Sequence, residues 1–120
     1  MDKKEEFLRN NGVDFESAMT YMGDLETFDE ILKDFYDGID DQIKQLEECK
    51  NNSDMTNYAI YVHALKSNYR SLGITALAQT AYNHELESKQ NNINYVNEHF
   101  NDLVEDKEKF KIFTSNYMNL

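Results

Sequence analysis

Residues 23–52 read GDLETFDEILKDFYDGIDDQIKQLEECKNN, and their apolar side chains decide the fold. Leu25, Phe28, Leu32, Phe35, Ile39, Ile43 and Leu46 recur at spacings of three and four, the pattern of a helix with one apolar face. Asp24 is placed to cap its start, and NNSD at 51–54 is placed to stop it.

Upstream, NGVDFESAMTYMGD at 11–24 offers Asp14 as a cap and Phe15, Met19 and Met22 as apolar positions. That is enough for a short helix closing one end of a bundle. Residues 1–10 are charged and read as a frayed end or linker.

Downstream, a second stripe of Tyr58, Val62, Leu65, Tyr69 and Leu72 runs from Ser53 or Asp54 to Leu72. Gly73 follows as the residue past the C-cap, where the left-handed conformation is wanted. Thr75 is the expected cap of ALAQTAYNHELESK at 76–89, with Leu77, Thr80, Ala81 and His84 or Leu86 inward and QNN as its stop. A last segment from about Ile93 carries Ile93, Val96, Phe100, Leu103, Phe110, Phe113 and Tyr117 along one side.

Loops of a few residues cannot carry the chain to the far end of a helix, so these segments must be antiparallel neighbours. The expectation is all-α: an up-down antiparallel four-helix bundle with a short N-terminal helix, one domain over 1–120. Zero prolines and four glycines suit long helices, and 40% hydrophobic with 29% charged residues suits a globular chain.

The formal charge of −11 repels phosphate backbones and anionic lipid surfaces, which argues against nucleic acid and membrane as partners. No apolar run approaches the roughly 20 residues of a membrane span, and MDKKEEFLRN lacks a secretory core, so a cytoplasmic location is expected. Cys49, the single cysteine, ends an apolar stripe and reads as a packing residue.

One stretch remains unexplained by packing: YVHALKSNYRSLG at 61–73. Stepping about 100° per residue from the centre of the Tyr58–Leu72 stripe puts His63, Ser67 and Arg70 on the outer face, with Lys66 at the boundary. Lys66, Ser67 and Arg70 are the i+3, i+4 and i+7 neighbours of His63, so the four make one patch. Two nearby cations disfavour the charged imidazolium and favour a neutral ring with a free lone pair. An anionic group accepted on that ring nitrogen would find Lys66 one turn away, and the small Ser67 leaves room for a docking partner. Phosphoryl acceptance is the chemistry that fits.

Together these residues resemble the histidine-containing phosphotransfer (HPt) domains of bacterial-type multistep two-component phosphorelays. The resemblance covers roughly residues 12–110 and rests on His63, Lys66, the small Ser67, Leu72-Gly73, then Leu77, Ala81 and Glu85. Upstream, GVDFESAMTYMGDLETFDEILKDF resembles the family's opening short helix, Gly-Asp and long amphipathic helix.

The resemblance implies that His63 is phosphorylated on Nε2, that Lys66 steadies the phosphoryl group, and that Glu85 accepts a hydrogen bond from Nδ1–H. It further implies a stoichiometric carrier and no enzyme, taking phosphoryl from a receiver-domain aspartate and passing it to a response-regulator aspartate. No cofactor of its own is implied, and the Mg²⁺ belongs to the receiver. Tyr61, Ala64, Ser67, Asn68 and Arg70 are the candidate docking residues, Gly73 is the structural turn, and a monomer is expected. Three positions depart from the family: Ser67 stands where glycine is usual, Ile74 where alanine is common, and His84 where leucine is common. His84 reads as structural, its ring packing as an apolar body, and His99 as a surface or boundary residue.

Two other readings compete. A di-iron bundle needs Glu-x-x-His pairs, but Ile60, Ala81 and Val96 precede the three histidines at that spacing, and no H-E-x-x-H or C-x-x-C occurs. A phosphate-independent adaptor for receiver or kinase domains would keep the bundle without using His63. No G-x-x-x-x-G-K loop is present to make the chain a kinase.

Overall fold

The computed structural model describes residues 2–120, and among these the chain forms six helices and no strand. They are α1 (Lys3–Asn10), α2 (Phe15–Met22), α3 (Leu25–Asn51), α4 (Met55–Ser71), α5 (Thr75–Lys89) and α6 (Ile93–Met118). The molecule is a helical bundle measuring 47 × 23 × 20 Å. Its long dimension is set by α3 and α6, since helices of 27 and 26 residues at about 1.5 Å per residue reach about 40 Å. α3 packs against α4 and α6, and α5 packs against α4 and α6.

Stripe and burial agree closely. Phe28, Leu32, Phe35, Ile39, Ile43 and Leu46 of α3 are buried, with Cys49 closing the row, and Tyr58, Val62, Leu65 and Tyr69 of α4 face them. An aromatic cluster joins three helices at the centre: Phe35 and Tyr69 meet edge to face at 5.1 Å, and Phe110 lies 4.7 Å from Phe35 and 5.7 Å from Tyr69. Asp14, Asp24 and Asp54 each accept a hydrogen bond from a first-turn amide, capping α2, α3 and α4 as their sequence positions require.

Two expectations need correction. Residues 3–10 are helical rather than frayed; Met1 lies outside the described residues. Asp2 caps α1 by accepting from the Lys4 and Glu5 amides, Leu8 is fully buried, and Phe7 lies 5.6 Å from the Phe113 ring and 5.9 Å from Tyr117. Two apolar residues in the eight of α1 give too little periodicity to show this, because the aromatic partners of Phe7 sit on α6. The second correction is at α5, where Thr75 is the first helical residue and Ile74 the N-cap, without a side-chain cap.

Gly73 does more than end α4. Its φ is +73°, and a Cβ there would stand 2.5 Å from the Asp14 carbonyl oxygen. The Asp14 amide in turn donates to the Gly73 carbonyl at 2.9 Å. The turn therefore docks the start of α2 onto the end of α4, which only a residue without a side chain permits.

Of the two inward candidates on α5, His84 is fully buried and Leu86 is exposed. Both nitrogens of His84 are satisfied by one neutral tautomer. The Tyr58 hydroxyl donates to Nδ1 at 2.9 Å, and Nε2–H donates to the His99 carbonyl at 3.2 Å. Burial pushes the His84 imidazole down to about 4, against a smaller upward pull from the His99 carbonyl.

Gly73→Ala is expected to lower stability by about 2–4 kcal/mol in chemical denaturation, from strain at positive φ plus the clash with Asp14. For His84 the folded state resists protonation, so its contribution is complete above about pH 6.5 and is lost as pH falls towards 4. Wild type should lose about 2 kcal/mol between pH 7 and pH 5 that His84→Gln does not lose.

Candidate functional site

α4 and α5 run side by side, and their shared outer edge carries the site. His63 projects from α4 with 57% of its side chain exposed, on the face opposite the buried Val62 and Leu65 row. Glu85 projects from α5 and is 3% exposed. Its Oε2 lies 2.8 Å from His63 Nδ1, and its Oε1 accepts from Lys66 Nζ at 2.7 Å.

Lys66, expected at the boundary, is buried. Its stem follows the α4–α5 seam so that the ammonium ends between Glu85 and His63, 3.2 Å from Nδ1. Lys89, one turn beyond Glu85 on α5, places Nζ 2.9 Å from Oε2.

Nδ1 cannot both donate to Glu85 and accept from Lys66. The carboxylate contact is the shorter, 2.8 against 3.2 Å, and pairs a donor with an anion, so it decides the tautomer. Nδ1 carries the proton and Nε2 keeps its lone pair on the solvent side.

This holds only while Glu85 is ionised. Burial pushes the carboxyl up, but hydrogen bonds from Lys66, Lys89 and His63 outweigh burial and bring it down to about 2. Tyr82 forms a floor for the cations, with Lys66 Nζ 5.3 Å and the Arg70 guanidinium 5.8 Å from its ring centre.

Two shallow hollows flank the imidazole. One of about 440 Å³ is lined by His63, Lys66, Ser67, Asn68, Arg70, Ser71 and Tyr21 of α2. The other, about 330 Å³, is lined by Ala59, Ile60, His63, Glu85 and Lys89. Of the candidate docking residues, Ser67, Asn68 and Arg70 therefore meet at the histidine. Ala64 is exposed but lines neither hollow, and Tyr61 packs against the core. Two residues before His63 is about 160° round the helix, which is why Tyr61 turns away.

Four residues at this edge escaped the sequence reading. Lys89 was legible as the i+4 partner of Glu85, in the favourable acid-then-base order. Ile60 is 58% exposed one turn before His63, and Tyr82 lies one turn before Glu85. Tyr21 is 63% exposed and comes from another helix, so only the tertiary arrangement could place it. Among the described residues, no three of His, Cys, Asp and Glu are grouped to hold a metal ion.

Because the Glu85 carboxyl is held low, its charge interactions support the fold fully above about pH 4.5 and are lost as pH falls through about 2. Acid titration of stability should show wild type losing on the order of 3 kcal/mol more than Glu85→Gln across that window. Equal slopes in the two proteins would mean that the carboxylate is not paired in solution.

No protein-family model matches the chain, and neither does any curated protein or solved structure. The functional reading therefore rests on the side chains themselves.

Proposed function

We propose that the chain is a histidine-containing phosphotransfer domain, a phosphorelay intermediate that carries a phosphoryl group on His63 Nε2. The observation that carries this reading is the hydrogen bond between His63 Nδ1 and the buried, ionised Glu85. That bond fixes the proton on the inner nitrogen and leaves the exposed one nucleophilic. The packing of α3, α4, α5 and α6 in a closed circuit supports the finer architecture, an up-down antiparallel four-helix bundle preceded by short helices.

The donor is a receiver domain bearing an aspartyl phosphate and its own Mg²⁺. His63 Nε2 attacks phosphorus in line, the acyl P–O bond breaks, and the aspartate leaves as carboxylate. Reversal onto the aspartate of a response regulator completes the relay. The domain supplies positioning and charge, with Lys66 as the ammonium nearest the ring and no nucleotide chemistry of its own. Receiver pockets gather carboxylates around their metal, so Lys66, Arg70 and Lys89 beside His63 give complementary charge for docking on an otherwise anionic chain. Ser67 is exposed at the contact, where its hydroxymethyl limits approach more than glycine would. A monomeric, cytoplasmic carrier belongs to the same reading.

An adaptor that never carries phosphate is the second reading, favoured by nothing at the Glu85–His63 pair. The test is a panel of receiver domains carrying labelled aspartyl phosphate. Label should move to wild type in an acid-labile, base-stable form and not to His63→Gln. Lys66→Ala should transfer about tenfold or more slowly, or lose label faster. A folded wild type that takes no label from any receiver would leave the adaptor as the surviving account.

A further inference from the structure

The site holds two ammonium groups on one buried carboxylate, and a phosphoryl acceptor needs only one of them at the phosphoryl group. Building on the phosphoacceptor reading, we propose that Lys89 is a positioning residue. It keeps Glu85 charged and bonded to Nδ1–H while Lys66 turns from Glu85 to the phosphoryl group on Nε2.

The resting geometry shows the division of labour. Lys66 Nζ is on Oε1 at 2.7 Å, while His63 Nδ1 and Lys89 Nζ share Oε2 at 2.8 and 2.9 Å. The Lys66 ammonium sits on the Nδ1 side of the ring, 3.2 Å from that nitrogen. Nε2 is on the other side, so contact with a phosphoryl oxygen there draws Lys66 away from Oε1. Glu85, 3% exposed, would then be a buried carboxylate without a cation if Lys89 were absent. Lys89 is 61% exposed and contributes little while Lys66 is in place. Its effect on the carboxylate is largest in the loaded state.

Charge balance leads to the same conclusion. In the transfer, the N–P bond forms as the donor's P–O bond breaks, and the donor keeps the bonding electrons. The Nδ1 proton stays between the ring and Glu85. The ring becomes formally cationic and bears a dianionic phosphoryl group, so the His63 side chain goes from neutral to a single negative charge. With Glu85, Lys66 and Lys89, the cluster goes from one positive charge to zero. Without Lys89 it would go from zero to a net negative charge in a partly buried site, where electrostatic terms are large.

Arg70 does not replace Lys89, since its guanidinium lies over Tyr82 in the hollow on the opposite flank of His63.

The experiment loads the full chain with potassium phosphoramidate, whose P–N bond breaks with release of ammonia, and follows phosphohistidine by phosphorus NMR. Lys89→Ala is expected to retain the wild-type melting temperature and to lose phosphoryl about five- to tenfold faster, because Lys66 then stays on Glu85 instead of reaching the phosphoryl group. Lys89→Arg should restore the lifetime. In a Glu85→Gln background the Lys89→Ala change should have no effect, because no carboxylate remains to be held. A wild-type lifetime in Lys89→Ala, or an undiminished effect in the Glu85→Gln background, overturns the inference alone. Failure of wild type to take phosphoryl on His63 rejects the phosphoacceptor reading, and the inference with it.

Discussion

A carboxylate removed from water must find positive charge or lose its own, and Glu85 meets that constraint at the seam between α4 and α5. Three donors converge on its two oxygens: Lys66, His63 and Lys89. The arrangement fixes how far α5 sits along α4, because a shift of one residue would take the carboxyl out of reach of both Lys66 and His63. A well-packed apolar pair would hold two helices together at least as well as a buried ion pair does. The charges are therefore better understood through what they do to the imidazole: they orient it, set its tautomer and leave one nitrogen free at the surface.

The same edge depends on a backbone contact some distance away. Gly73 lets the residue before α2 approach the end of α4, and α2 then brings Tyr21 beside Ser67 and Arg70. Tyr21 of α2 thus closes one side of the larger hollow, whose other lining residues all lie on α4. α1 reinforces α2 from behind, through Arg9 bonded to Glu16 and Phe7 set on the aromatic end of α6. Shape at the histidine is inherited from packing at the bundle's end.

His84 and Glu85 are adjacent in sequence and meet opposite environments. His84 faces the core, neutral between Tyr58 and the His99 carbonyl, while Glu85 turns to the seam and stays charged among cations. One step of about 100° along α5 separates a neutral core histidine from a buried, charged carboxylate. A polar residue in the core is tolerated because each nitrogen has a partner.

The sequence by itself determined the helices and their apolar faces, because side-chain periodicity is a local property and burial follows it from Phe28 through Tyr117. It also determined that His63 faces water beside Ser67 and Arg70, since those positions share one side of one helix. Only the tertiary structure decided what lies across the seam. The burial of Lys66, the sharing of Glu85 between three donors, the arrival of Tyr21 and the docking of α1 each involve residues on different helices. Spacing along one strand of sequence carries no information about rotation and register between two helices. Those are set by packing, and at this site they decide which nitrogen of His63 is free.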